Sequence, residues 1–78
     1  MVQAYILIQT EVAAASRVAE AVRQVPAVIQ ADEVTGPYDV IVVAEADSMD
    51  ELGRMVVANV QNVPEITRTL TCPVVRLR

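Results

Sequence analysis

The chain has 78 residues, with six basic side chains against ten acidic ones and a net charge of −4. That length holds one domain, residues 1–78. The acidic balance opposes non-specific nucleic-acid binding, which depends on neutralising phosphates. The closest approach to a basic cluster is the pair Arg76 and Arg78. With Cys72 as the sole cysteine and no histidine, an intrachain disulfide is excluded, and a tetrahedral zinc site is disfavoured. Small domains without such staples gain stability by self-association. The composition suits that route, since 54% of residues are hydrophobic although Trp and Phe are absent. No apolar run approaches a membrane span. The first residues lack the basic and long apolar segments of a signal peptide, so a cytoplasmic location is expected.

Val2 to Thr10 is a short apolar run that reads as a buried strand. Ala13 to Val25 has helical character: Val18, Val22 and Val25 recur at intervals of four and three among Arg17, Glu20, Arg23 and Gln24. Pro26 ends this helix by restricting the residue before it. Val28 to Thr35 reads as a second strand, Gly36 and Pro37 as a turn, and Tyr38 to Ala46 as a third strand. So short a connection makes the pair an antiparallel hairpin. Ser48, Met49, Asp50 and Glu51 match a capping box, with Ser48 accepting from the Glu51 amide and Glu51 reaching back. Leu52, Val56 and Val60 then stack at intervals of four, widened by Met49, Met55 and Val63, until Pro64 stops the helix. Ile66 to Cys72 alternates as a fourth strand, which Pro73 breaks.

The order strand, helix, strand, strand, helix, strand predicts an α+β, ferredoxin-like βαββαβ fold. Its four-stranded antiparallel sheet carries two helices on one face. A short internal repeat fits two βαβ halves: Gln24-Val25-Pro26-Ala27-Val28 parallels Asn62-Val63-Pro64-Glu65-Ile66. The third strand is apolar on both sides, with Val40, Val42 and Ala44 against Ile41 and Val43. The first strand sets Ala4, Ile6 and Ile8 against Tyr5 and Leu7. Strands of this kind are covered on both faces, so the helix-free face is expected to pack on a second sheet, as in a dimeric α+β barrel.

Three constellations could carry chemistry. Thr35-Gly36-Pro37-Tyr38-Asp39 reads structurally as a turn, in which Gly36 permits an unusual backbone angle, Pro37 fixes one and Asp39 caps. Read functionally, Gly36 lets a ligand approach the backbone, while Asp39 beside Tyr38 could hold an ammonium group and cover an apolar side chain. Thr67, Thr69 and Thr71 stand at period two, which puts three hydroxyls on one face. They supply either β-propensity on a half-exposed strand or a polar lining for a small zwitterion. Among the acidic residues, Asp50 and Glu51 offset a helix dipole. Asp32 and Glu33 point to opposite faces, so no catalytic carboxylate pair is formed. A Cys-His nucleophile is ruled out by the missing histidine, and a glycine-rich phosphate loop cannot be built from Gly36 and Gly53 alone.

Val34-Thr35-Gly36-Pro37-Tyr38-Asp39-Val40 resembles the Thr-Gly-any-Tyr/Phe-Asp hairpin of the leucine-responsive/asparagine-operon regulator (Lrp/AsnC) family. Val63 to Thr71 resembles that family's closing segment, in which a helix-ending proline precedes a Thr-rich strand. The resemblance covers nearly the whole chain. It implies a non-enzymatic amino-acid-binding module without a cofactor, paired through its sheet faces and assembled into a ring such as an octamer or decamer. It implies effector binding between dimers near the central hairpin, with Gly36, Tyr38 and Asp39 as contacts and Thr69 and Thr71 as secondary ones. Typical members carry an N-terminal helix-turn-helix domain, whereas this chain starts at the first strand. The expectation is therefore a stand-alone member that does not contact DNA directly and acts, if at all, by co-assembly with full-length relatives. Two alternatives share the topology: a small dimeric α+β barrel enzyme of monooxygenase or isomerase type, and an assembly partner without a ligand. The first usually relies on His, Trp or Asn in a barrel pocket, and here only Asn59 and Asn62 are present.

Overall fold

The structure, a computed structural model, describes residues 1–75. Arg76 and Arg78 lie outside the described residues. The elements run β1 (Val2–Thr10), α1 (Ala15–Arg23), β2 (Val28–Glu33), β3 (Val40–Ala46), α2 (Met49–Met55) and β4 (Ile66–Pro73). All strand pairs are antiparallel, in the order β2-β3-β1-β4. The ferredoxin-like α+β expectation is met.

The core lies between the sheet and its helices. Ala4, Ile6 and Ile8 of β1 and Val40, Val42 and Ala44 of β3 are wholly buried against Val18, Ala19 and Val22 of α1 and Leu52 and Val60 of the second helix. The period of two in the strands and of four in the helices produces this single apolar layer. Helix α1 ends where the Arg23 guanidinium donates to the Ala31 carbonyl oxygen, from Nε at 3.0 Å and Nη2 at 2.8 Å. That contact ties the helix to edge strand β2.

The second helix differs from a plain α-helix. Ser48 Oγ accepts from the Glu51 amide at 3.2 Å, so the predicted cap forms. The reverse bond from Glu51 does not form among the described residues. After Met55 the helix continues as a π-helical turn, Val56–Val60, with the Gln61 amide donating to the Val56 oxygen at 2.9 Å. The strict spacing of Leu52, Val56 and Val60 explains the change. Residues four apart drift by about 40° on an α-helix of 3.6 residues per turn. A wider turn subtends less angle per residue, and it swings Val60 back over the sheet.

The helix-free face carries Tyr5, Leu7, Ile41, Val43 and Leu70. Cross-strand pairs Tyr5↔Val43, Leu7↔Ile41 and Leu7↔Leu70 make it one apolar band. Tyr5 is 49% and Leu70 42% exposed in the single chain. Leaving such a contiguous band in water is unfavourable.

Candidate functional site

The hairpin motif sits at the end of the sheet where β1 runs out. Strand β2 ends at Glu33 and β3 starts at Val40, two residues later than Tyr38, and Asp39 bridges the ends of β1 and β2 just before β3 begins. The Asp39 amide donates to the Ile8 oxygen at 2.8 Å, and its own carbonyl accepts from the Val34 amide at 3.0 Å. Its Oδ2 accepts the Thr10 amide at 2.8 Å and lies 3.4 Å from the Thr10 hydroxyl. Gln9 Nε2 donates to the Pro37 oxygen at 3.0 Å. Asp39 is thus a clamp that fastens the loop to the end of β1. One carboxylate oxygen does this work, and among the described residues the other accepts no hydrogen bond.

Gly36 departs from the turn reading. Its φ is not positive, and a Cβ placed there would meet nothing within 4 Å. Neither backbone geometry nor packing among the described residues requires a glycine at that exposed position. Tyr38 and Asp39 are half-buried beside it.

The threonines are divided. Thr69 pairs with Ile8 and Thr71 with Ile6, so both lie on the helix side of the sheet and are half-buried. Thr67 falls outside their alternation: the register shifts between Gln9 and Thr10 and skips it, leaving it exposed in a β-bulge. The expectation of three hydroxyls on one face is corrected to two, because the inserted residue resets the period. Thr69 lies level with Val40 across β1, two strand spacings or about 10 Å away. Thr71 lies one further pleat from the hairpin. A shallow cavity of about 180 Å³ beside Thr69 is lined by Gln61, Ile66, Thr67 and Arg68 and does not include the hairpin. The structure therefore brings Gly36, Tyr38 and Asp39 together and sets Thr69 and Thr71 on the neighbouring strand pair. Among the described residues of one chain the five do not enclose a pocket.

Other residues at this end were not foreseen. Thr10 and Gln9 hold the hairpin from 28 or more residues away in sequence. Glu65 and Ala13 adopt left-handed backbone angles, φ 74° and 65°, which cost a non-glycine residue about 1–2 kcal/mol each. They are joined through Glu11, whose amide donates to the Glu65 oxygen at 2.8 Å and whose oxygen accepts the Ala14 amide at 3.1 Å. Arg17 grips the Glu65 carboxylate with two hydrogen bonds, of 3.0 and 2.6 Å. The hydrogen bond from Arg17 lowers the Glu65 carboxyl below its ordinary range, and the same bond raises Arg17. Both side chains face solvent, so this pair orders the loop more than it stabilises the fold. No sequence pattern marks the contacts of Gln9, Thr10, Glu11 and Arg17 with the hairpin and Glu65, because those join residues distant along the chain. No cluster of three or more potential metal ligands occurs among the described residues.

The fold is a small ferredoxin-like α+β module with a Thr-Gly-Pro-Tyr-Asp hairpin clamped at one end of its sheet. The chain belongs to the Lrp/AsnC ligand binding domain family, whose model matches residues 3–77. Among solved structures, TTHA0845 from Thermus thermophilus is similar at a TM-score of 0.93 and 27% identity, over 100% of this chain and 98% of that one. Hypothetical protein PHS023 from Pyrococcus horikoshii is similar at 0.90 and 32% identity, over 99% and 93%. The transcriptional regulator NMB0573 from Neisseria meningitidis, solved with L-Met, shares the fold at 0.84 and 22% identity; the match covers 96% of this chain and 50% of the regulator. No curated protein matches the chain significantly.

Proposed function

We propose that this chain is a cytoplasmic, amino-acid-responsive regulatory module that has no catalytic activity. It pairs through the apolar open face of its sheet and assembles further into a ring. A small amino acid binds between protomers beside the hairpin. The free oxygen of Asp39 meets the ammonium group, Tyr38 covers the side chain, Gly36 admits the ligand to the backbone, and Thr69 and Thr71 are secondary polar contacts. Binding alters transcription indirectly, through co-assembly with DNA-binding relatives, without direct contact with DNA.

The observation that carries this reading is the hairpin itself. It holds a half-buried carboxylate with an unused oxygen, next to a glycine that the chain does not need, in a member of a ligand-binding family. The L-Met complex of the meningococcal regulator supports an amino acid as the class of ligand. The net charge of −4 supports indirect action.

Thermal unfolding against each of the common amino acids tests it. A ligand at ten times its Kd stabilises by about 1.4 kcal/mol, which in a domain of this size raises Tm by about 6–11 °C. A rise with at least one amino acid at millimolar concentration is expected. No rise with any of them overturns the sensor reading.

A further inference from the structure

The outer side of α2 carries a second unpartnered surface, unrelated to the open sheet face. Met49, Gly53 and Val57 recur every four residues and line a shallow groove of about 650 Å³ with Asp50, Arg54 and Ala58. Met49 is 45% and Val57 62% exposed. Gly53 stands inside the helix, where glycine costs about 1 kcal/mol relative to alanine. A Cβ there would meet nothing within 4 Å. The chain thus carries a destabilising glycine in the middle of an exposed apolar stripe, with no packing reason for it among the described residues. Glycine at such a place lets another backbone come close.

The flanking charges indicate what approaches. Asp50 and Arg54 follow Met49 and Gly53 by one residue each, so they lie on the same flank of the stripe. Among the described residues neither side chain makes a hydrogen bond or ion pair. We propose that this face binds the same face of a second copy, with the two helices antiparallel across a two-fold axis near Gly53. That operation keeps a flank on its own side and reverses the helix direction. Asp50 of the second copy then stands at the level of residue 56, about 3 Å along the axis from Arg54, within reach of its side chain. Both Asp50–Arg54 pairs form, and Met49 of each copy meets Val57 of the other. The surface is complementary to itself in shape and in charge, as an isologous contact requires. The proposal rests on the reading of the chain as an oligomeric module. Together with sheet pairing, it supplies the second contact needed to build beyond a dimer.

Light scattering coupled to size exclusion, on the whole chain at tens of micromolar, tests the pairing. Far-UV circular dichroism confirms that each variant is folded. The wild type is expected to hold four or more protomers. Asp50→Arg alone and Arg54→Asp alone each place like charges across the axis and are expected to weaken the contact at least about tenfold, leaving dimers. The double variant Asp50→Arg/Arg54→Asp restores opposite charges and is expected to recover the larger assembly. Gly53→Gln, which keeps the charges and blocks the approach, is expected to behave like the single swaps. A larger assembly that the swaps and Gly53→Gln leave intact overturns the proposal, as does a folded double variant that stays dimeric. A wild-type dimer unaffected by the swaps is paired through the sheet, which overturns the helix contact and leaves the sheet reading standing. A wild-type dimer that single swaps turn into monomer upholds the helix contact and removes the sheet pairing. A wild-type monomer overturns both.

Discussion

Asp39→Ala removes the oxygen that accepts the Thr10 amide at 2.8 Å. That amide closes β1 at a part-buried position. Hydrogen bonds to a charged group contribute about 1.5–3 kcal/mol. Asp39 is only half-buried, so the lower end applies, and the 3.4 Å contact to the Thr10 hydroxyl is too long to add much. A loss of about 1.5 kcal/mol corresponds to a fall in Tm of about 6–12 °C in a domain of this size. Asp39→Asn keeps an oxygen in place without the charge, and about half that loss is expected. The assay is thermal unfolding by circular dichroism at one fixed protomer concentration, because association itself shifts apparent stability. Amide exchange at Thr10 is read alongside. The expected order is wild type, then Asn, then Ala, with Thr10 losing protection in the Ala variant. The Asn variant should remain folded yet lose the rise in Tm on adding amino acid, which separates the clamp from the ligand contact. If the Ala variant unfolds within about 0.5 kcal/mol of wild type and Thr10 stays protected, the clamp argument is wrong.

Three other outcomes follow from the same geometry. Leu7→Glu puts a charge in the middle of the open sheet face, between Ile41 and Leu70; the mass by light scattering should fall while the circular dichroism spectrum is kept, and an unchanged mass removes the sheet-pairing reading. Arg17→Ala should return the Glu65 carboxyl toward its ordinary range in an NMR pH titration. Because the folded value is depressed by the Arg17 hydrogen bond, the contribution of this pair is complete above the unfolded value and is lost as pH falls through the folded one; a Glu65 titration unmoved by the substitution argues against the pair in solution. Ala13→Gly relieves the left-handed backbone at φ 65°. Relief of about 1–2 kcal/mol, less the added freedom of glycine in the unfolded chain, leaves a gain of about 0.5–1 kcal/mol in denaturant unfolding; a loss of stability shows that residue 13 does not hold that conformation.

The elements themselves were legible because each has a local cause. Period-two runs of Val and Ile gave β1 and β3, the Ser48 cap opened the second helix, and Pro26 and Pro64 lie just beyond the helices. The boundaries that moved did so where distant residues compete for the backbone. Thr35 and Tyr38 leave their predicted strands in the loop that Asp39 fastens to Thr10, and α1 starts at Ala15 after the left-handed Ala13. The π-helical turn was hidden, since the spacing of Leu52, Val56 and Val60 also fits an α-helix approximately.

The candidate site divides the same way. Thr35 to Asp39 stood out in the sequence as a motif, and the alternating apolar residues of β1 and β3 already required a cover for the second sheet face. Side-chain alternation depends only on the local chain, so a sequence carries it directly. Only the tertiary structure decided that Asp39 clamps Thr10 across 29 residues, that a bulge removes Thr67 from the row of threonines, and that a Cβ at Gly36 or Gly53 would meet nothing within 4 Å among the described residues. Those features depend on register and on what lies nearby in space, and both are set when strands far apart in sequence come together.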